Sequence, residues 1–338
     1  MRSEHFLGNG PSIGAVPMSG LAVLAPMSGI SDVAFRRIAA RFGAGLVVTE
    51  MVAASAYVAK ADEARLRSEG RGIRPHVVQL VGRNPASMGE AARLAEASGA
   101  DIVDINFGCP AKKVTGGLCG SALMREPDLA LRIVEAVVSA VSVPVTVKMR
   151  LGWDDQSRNA VALAASAVDA GARGIMVHGR TRQQFYSGTA DWDAIAEVAR
   201  AVPVPVIANG DVACAASARA CLERSGAAAV MIGRAAVGQP WLVGEVAAAL
   251  AGRTYFAPTL AERTGAAVEH YEAMLSLYGV EMGLRHARKH LAAYSDRASE
   301  AGYGLSGEDR RVLVTTTDPA RVTALLRRIY EAPVRLAA

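Results

Sequence analysis

Eight short apolar runs rich in β-branched residues, each followed by an Ala-rich stretch of helical length, constrain the fold of this chain more than any other feature. The runs are LAVLAP (21–26), LVVTEM (46–51), HVVQLV (76–81), DIVDIN (101–106), VTVKMR (145–150), GIMVHG (174–179), PVIANG (205–210) and AAVMIG (228–233). Such alternation predicts repeated βα units and a parallel sheet. Eight is the number that closes a barrel, and the pieces span roughly the 250 residues that a (β/α)8 barrel occupies. The expected fold class is α/β, a (β/α)8 TIM barrel over residues 21–243 followed by a small C-terminal helical domain over 244–338. In that tail the β pattern stops, and helical periodicity runs through TLAERTGAAVEHYEAMLSLYG, MGLRHARKHLAAYSDRA and DPARVTALLRRIYEA, with Gly and Pro at the joins. Residues 1–20, rich in Gly, Pro and Ser, read as an N-terminal arm leading into the first strand.

Composition narrows the classes. With 338 residues, 51% hydrophobic and 20% charged, the chain reads as an ordinary globular protein able to bury a sizeable core. The four cysteines, Cys109, Cys119, Cys214 and Cys221, never approach Cys-x-x-Cys spacing, and no secretory signal pattern opens the chain. A reduced, cytoplasmic setting and a monomer are expected. The longest apolar stretches are broken by Gly, Pro or charge, so no membrane span is expected. A net charge of +5 and a pI near 9.2 permit a polyanionic partner without demanding one, since no polybasic run is present.

The unusual residues gather at the carboxyl ends of the predicted strands, the rim where barrel active sites are built. There lie Pro26 and Met27, Glu50, Gln79, Asn106 and Cys109, Lys148 and Arg150, His178 and Arg180, Asn209 and Asp211, and Gly233 and Arg234. The loops after strands seven and eight, ANGDV and MIGRAAVGQP, supply Gly210 and Gly233 for close backbone approach and Arg234 for charge, as a phosphate site requires. Tight turns are the competing use of each glycine. Lys148 can stabilise an anion such as the N1–C2 region of a reduced flavin, form a Schiff base, or serve in an ion pair. His178 can donate a hydrogen bond to a cofactor ring or a substrate carbonyl. Gln79 and Asn106 carry both donors and acceptors, which suits reading an amide-like edge or tying loops together. Cys109 stands between Gly108 and Pro110, directly after strand four, where a thiol mostly protonated at neutral pH can give a proton or act as a nucleophile. No partner cysteine or histidine has zinc-ligand spacing, so no metal is expected there.

The segments APMSGISDVAFR, TEM, QLVG, DINFGCPAKKV, GSALM, VKMRLGW, HGRTRQQFYSGTADW, IANGDV, VMIGRAAVGQPW and RHARKHLAAY together resemble the tRNA-dihydrouridine synthases, most nearly the bacterial B type. The resemblance runs from about residue 20 to near the C-terminus. It implies an FMN-dependent reductase that uses NADPH to reduce the 5,6 double bond of a uridine in the D-loop of tRNA. By the same resemblance Pro26, Met27, Ser28, Gln79, Lys148, His178, Asn209, Gly210, Asp211, Gly233 and Arg234 would hold FMN. Cys109 would donate the proton to C5, and Asn106, Arg150 and Arg180 would contact flavin or nucleotide. The tail becomes a tRNA-binding domain in which Arg285, Arg288 and Lys289 fall near one helical face. The family often carries Trp before the tyrosine of this segment, whereas Ala293 precedes Tyr294 here. An FMN barrel acting on a free pyrimidine such as dihydroorotate, and a non-catalytic RNA-binding barrel, are the competing readings. The helical tail and the GCPAKKV loop favour tRNA over the first, and the presence of both Cys109 and Lys148 speaks against the second.

Overall fold

The computed structural model describes residues 10–331. Its main sheet has nine parallel segments that correspond to the eight expected runs, because the second run is broken in two. In chain order they are Ala22–Leu24, Leu46–Val47 with Val52–Ala53, Val77–Val81, Ile102–Phe107, Val145–Arg150, Gly174–His178, Val206–Asn209 and Ala229–Ile232. Strand eight pairs with strand one, Val230 opposite Ala22. Closure falls at the broken strand: Leu46–Val47 pairs with strand one, and Val52–Ala53 pairs with strand three. A parallel bridge between Val48 and Val77 spans the break. The sheet thus curls into the expected barrel, with helices such as Pro85–Ala97, Pro127–Val138 and Trp192–Ala201 packed outside it.

Side chains on a strand alternate between faces, so every second residue points into the barrel. Near the amino ends the inward positions are apolar: Val23, Leu46, Val77, Ile102, Met176, Ile207 and Ala229 form one buried cluster. Towards the carboxyl ends the inward positions turn polar, with Asp104 opposite Thr146, Asn106 opposite Lys148, Arg150 opposite His178, and His178 opposite Asn209. One end of the barrel is therefore packed shut and the other is built for chemistry.

Within the described part of residues 1–20, the chain is more than a lead-in to strand one. Ser12–Ile13 and Val16–Pro17 pair as an antiparallel hairpin, and Ile13 and Met18, both essentially inaccessible, join the apolar floor of the barrel. The helix Leu242–Leu250 contributes Val243, Val246 and Ala247 to the same core as the barrel helices, so position 243/244 falls inside an element of the barrel. Helices Leu260–Tyr278, Val280–Glu300, Gly307–Thr315 and Pro319–Arg328 follow and share a separate apolar core. That core includes Ile38 and Trp241 from the barrel, so the tail is docked rather than tethered. Ala293 packs beneath the loop after strand eight: a Cβ on Gly238, which has φ 78°, would collide with the Ala293 backbone. Tyr294 stays fully buried beside it. No helix among the described residues is long and apolar enough to cross a membrane.

Candidate active site

The polar end of the barrel opens into a cavity of about 720 Å³, within the range of roughly 300–1,000 Å³ that small-molecule and cofactor sites occupy. Pro26, Met27, Ser28, Gln79, Asn106, Cys109, Lys148, Arg150, His178, Asn209, Gly210, Asp211, Gly233 and Arg234 all line it, so the strands bring together nearly every rim residue singled out in the sequence. Its apolar wall comes from Met51, Met231, Val212 and Val237.

The floor is held by side-chain amides. Lys148 Nζ donates to Asn209 Oδ1 at 3.2 Å, and Asn209 Nδ2 donates to the Met231 carbonyl at 2.8 Å. Burial, with Arg150 adding to it, lowers the Lys148 amine to about 8, while Asp104 and Cys109 pull the other way. His178 is pushed well below the usual imidazole range by burial and then by the cations Arg150, Lys148, Arg180 and Arg234, so it is neutral at pH 7. Arg180 Nη1 lies 3.3 Å from His178 Nε2. A guanidinium can only donate, so Nε2 is the acceptor and Nδ1 carries the proton.

Cys109 is pinned at its backbone. Its N–H and that of Gly108 donate to Asn106 Oδ1 at 2.9 and 3.2 Å, and its carbonyl accepts from Ser121 N at 3.1 Å and Ser121 Oγ at 2.8 Å. Burial pushes its thiol up, against the Ala111 backbone, Arg150 and Lys148, so the sulfur is protonated at neutral pH. Arg150 is buried against the cavity and braces two loops, donating from Nε to the Gly108 carbonyl at 2.9 Å and from Nη1 to those of Thr181 and Phe185.

Arg180 does not reach the cavity wall. It is 1% exposed and spends its donors on Asp211 Oδ2 at 2.7 Å and on the carbonyls of Ser187 and Gly188. Burial would raise the Asp211 carboxyl, but Arg180, the Ala190 N–H and Arg234 outweigh it and hold it low. Arg285 and Arg288 are exposed on the tail helix and do not line the cavity. Lys289 leans across to the loop after strand one, its Nζ 2.5 Å from where a Cβ on Gly29 would lie. Gly29 has φ 71°, a second reason for glycine there.

Of the residues that support the site, Glu50 is legible at the rim in the sequence, whereas Phe185 and Tyr186 carry little signal of their own. Glu50 is buried and accepts a short hydrogen bond from the Gly29 N–H, which fixes the loop bearing Pro26 to Ser28. Phe185 and Tyr186 stand at the mouth, 40% and 47% exposed, with the Arg234 guanidinium 4.6 Å from the Tyr186 ring centre. Among the described residues, one buried group of metal-ligand type, Asp32 with His270 and His290, has its donor atoms within 4.8 Å of one another, and none of the three lines the cavity.

The family model described as Dihydrouridine synthase matches residues 23–311. The chain is 51% identical over 323 residues to a probable tRNA-dihydrouridine synthase of Rhodobacter capsulatus, covering 94% of this chain and 97% of that one. It is 52% identical over 310 residues to the protein of the same description in Rhizobium leguminosarum, covering 92% and 94%. Against the tRNA-dihydrouridine synthase B of Shewanella oneidensis it is 43% identical over 292 residues, covering 85% and 90%. With a barrel whose polar end gathers these side chains and a family match that spans both barrel and tail, the chain belongs to the dihydrouridine synthase family.

Proposed function

We propose that this protein reduces uridine to 5,6-dihydrouridine in tRNA, with FMN bound in the barrel cavity and NADPH as the reductant. The observation that carries the reading is a protonated thiol, Cys109, fixed at the wall of a cavity whose floor offers a lysine, a neutral histidine and three amides. The donor set suits a flavin. Lys148 supplies positive charge for an anionic ring edge, Gln79 and Asn209 face its polar rim, and Met27 with Met231 offers apolar walls. Gly210, Asp211, Gly233 and Arg234, in the loops after strands seven and eight, stand where barrels hold phosphate. When bound, FMN supplies the hydride for C6 of uracil.

The chain's own part is to hold the base and finish the reaction. Asn106 and Arg150 face the cavity and orient the pyrimidine, and Cys109 Sγ gives its proton to C5. A base inside folded tRNA cannot reach such a recess, so the nucleotide is splayed into the mouth beside Phe185 and Tyr186. The tail helices provide the second contact surface. Arg285 and Arg288 are exposed and make no ion pair among the described residues, which leaves them available for phosphate. Arg180 enters this scheme as a brace for Asp211 rather than as a substrate contact.

Incubating the purified protein with FMN, NADPH and tRNA lacking dihydrouridine, then digesting the tRNA, tests the proposal. Dihydrouridine in the digest by mass spectrometry is the expected result. NADPH oxidation without that product would point to a free pyrimidine as substrate.

A further inference from the structure

We propose that Asp104, a residue outside the cavity wall, dictates the orientation of the amides that hold Cys109 and so acts as a positioning residue for proton donation. The inference rests on the reading of Cys109 as the acid. Asp104 is inaccessible on strand four, where Oδ1 accepts from Thr146 Oγ1 at 2.6 Å and Oδ2 accepts from Gln79 Nε2 at 2.6 Å. An ionised carboxylate has no proton to give, so Gln79 must turn its amino group inward. Its Oε1 is then left for Asn106, whose Nδ2 donates to it at 2.8 Å. Having given its amino group, Asn106 has only Oδ1 to offer the loop, and that oxygen accepts from the Gly108 and Cys109 N–H groups. Three side chains on two neighbouring strands thus pass one sense of polarity from a buried charge to the backbone of the cysteine.

A buried charge needs compensation, and a neutral side chain of the same shape would be easier to bury. Burial raises the Asp104 carboxyl to about 6, with Gln79, Thr146 and Lys148 opposing the rise, so it is ionised at neutral pH. What the charge adds is direction. Two amides facing each other can both reverse and keep the bond between them, here at the cost of the two bonds that Asn106 Oδ1 accepts from the loop, whereas a carboxylate at the buried end of the row forbids the reversal outright.

Two variants test this. Asp104→Asn keeps the shape but can offer an amino group to Gln79, which lets Gln79 and Asn106 reverse and turns an N–H of Asn106 towards that of Cys109. The double variant Gln79→Glu with Asp104→Asn moves the carboxylate one step along the row, where it again accepts from Asn106 and restores the polarity. Since a misplacement of about 1 Å at a reacting group can cost ~100-fold, D104N is expected to lose turnover per bound flavin by about that factor at unchanged KM for tRNA. The double variant alters Gln79, which faces the flavin site, so it is read through the reactivity of Cys109 and not through turnover. The rate at which iodoacetamide alkylates Cys109, followed by peptide mass spectrometry without any tRNA, should shift in D104N and return in the double variant. Wild-type alkylation in D104N, or alkylation in the double variant no nearer to wild type than in D104N, overturns the inference. If D104N does not fold, a double variant whose alkylation rate departs from wild type does the same. Absence of dihydrouridine from the wild-type reaction instead sinks the reading on which it rests, and leaves the alkylation result standing.

Discussion

At the scale of single residues, the site works by holding protons where water would not. Cys109 keeps its proton because burial disfavours the thiolate, and the two N–H groups bound by Asn106 keep the loop from drifting. Removing a positioned acid typically costs a factor of ~10²–10⁴, so Cys109→Ala should retain its flavin and lose about that much turnover with tRNA. Full turnover in the purified variant would take the thiol out of the chemistry. Lys148 behaves in the opposite sense. Its amine, lowered to about 8 chiefly by burial, is a cation at pH 7 and sheds its charge as pH rises through that value. FMN binding to the apoprotein, followed by quenching of flavin fluorescence, should therefore weaken between pH 7 and 9, and the weakening should vanish in Lys148→Met. A parallel pH dependence in the two proteins would assign it elsewhere.

At the scale of elements, much of the fold is legible because strand, helix and rim each leave a local pattern. Asp104 with Asn106, and Thr146 with Lys148 and Arg150, recur at every second position, so the period of a strand alone aims them into the barrel. What sequence period cannot carry is a partner far along the chain or a strand too short to repeat. Arg180 sits at a strand end like its neighbours, yet its destination is decided by Asp211, thirty-one positions away. Strand two looks like one run of six, but Glu50 turns off at the break to meet Gly29, and pairing resumes at Val52. The hairpin of Ser12–Ile13 and Val16–Pro17 has two residues a side, and only its contacts show that it plugs the barrel floor. That plug carries a prediction. Ile13 is fully buried among Val23, Val77, Ile102 and Met176. Ile13→Ala should lower unfolding stability by about 2–5 kcal/mol, the usual cost of such a truncation. The flavin site at the opposite end should keep its affinity. A urea midpoint equal to that of the unaltered protein would show that the plug contributes no packing.

At the scale of the whole molecule, barrel and tail are joined by a buried polar knot. Asp32 caps the helix Val33–Arg41 through Oδ1, which accepts from the N–H groups of Ala34 and Phe35. Its Oδ2 faces His270 Nε2 at 2.9 Å, and His270 Nδ1 faces the Tyr294 hydroxyl at 3.0 Å. One carboxylate thus starts a barrel helix and, through His270, is linked to two helices of the tail. His290 lies against this knot, its ring 4.5 Å from that of His270; among the described residues neither of its nitrogens makes a well-formed hydrogen bond, with the Gly29 backbone close by and Asp32 Oδ2 3.9 Å away. Burial above all, with His270 and Lys289 adding to it and Asp32 and the Gly29 backbone opposing, lowers its pKa to about 3. An unfolded chain protonates the same ring near pH 6.5, so between those two values the unfolded state binds more protons and stability falls as pH falls. From pH 7 to pH 5 the loss from this one group amounts to roughly 2 kcal/mol. His76, lowered to about 4 by burial, loses stability in the same direction, while Asp104, raised to about 6, works against it, so the whole-protein curve does not isolate His290. The difference between two proteins does. His290→Leu replaces two buried nitrogens that make no well-formed hydrogen bond with an apolar side chain, a change that is near neutral or stabilising when no strong partner is left unpaired. At pH 7 the variant should match the unaltered protein or slightly exceed it. At pH 5 the gap should widen by about 2 kcal/mol in the variant's favour, read from urea unfolding at each pH. Curves that stay parallel between pH 7 and 5 would show that His290 is already charged, or free to charge, in the folded protein, and would leave the buried His76 of the barrel as the histidine whose burial lowers stability in that window.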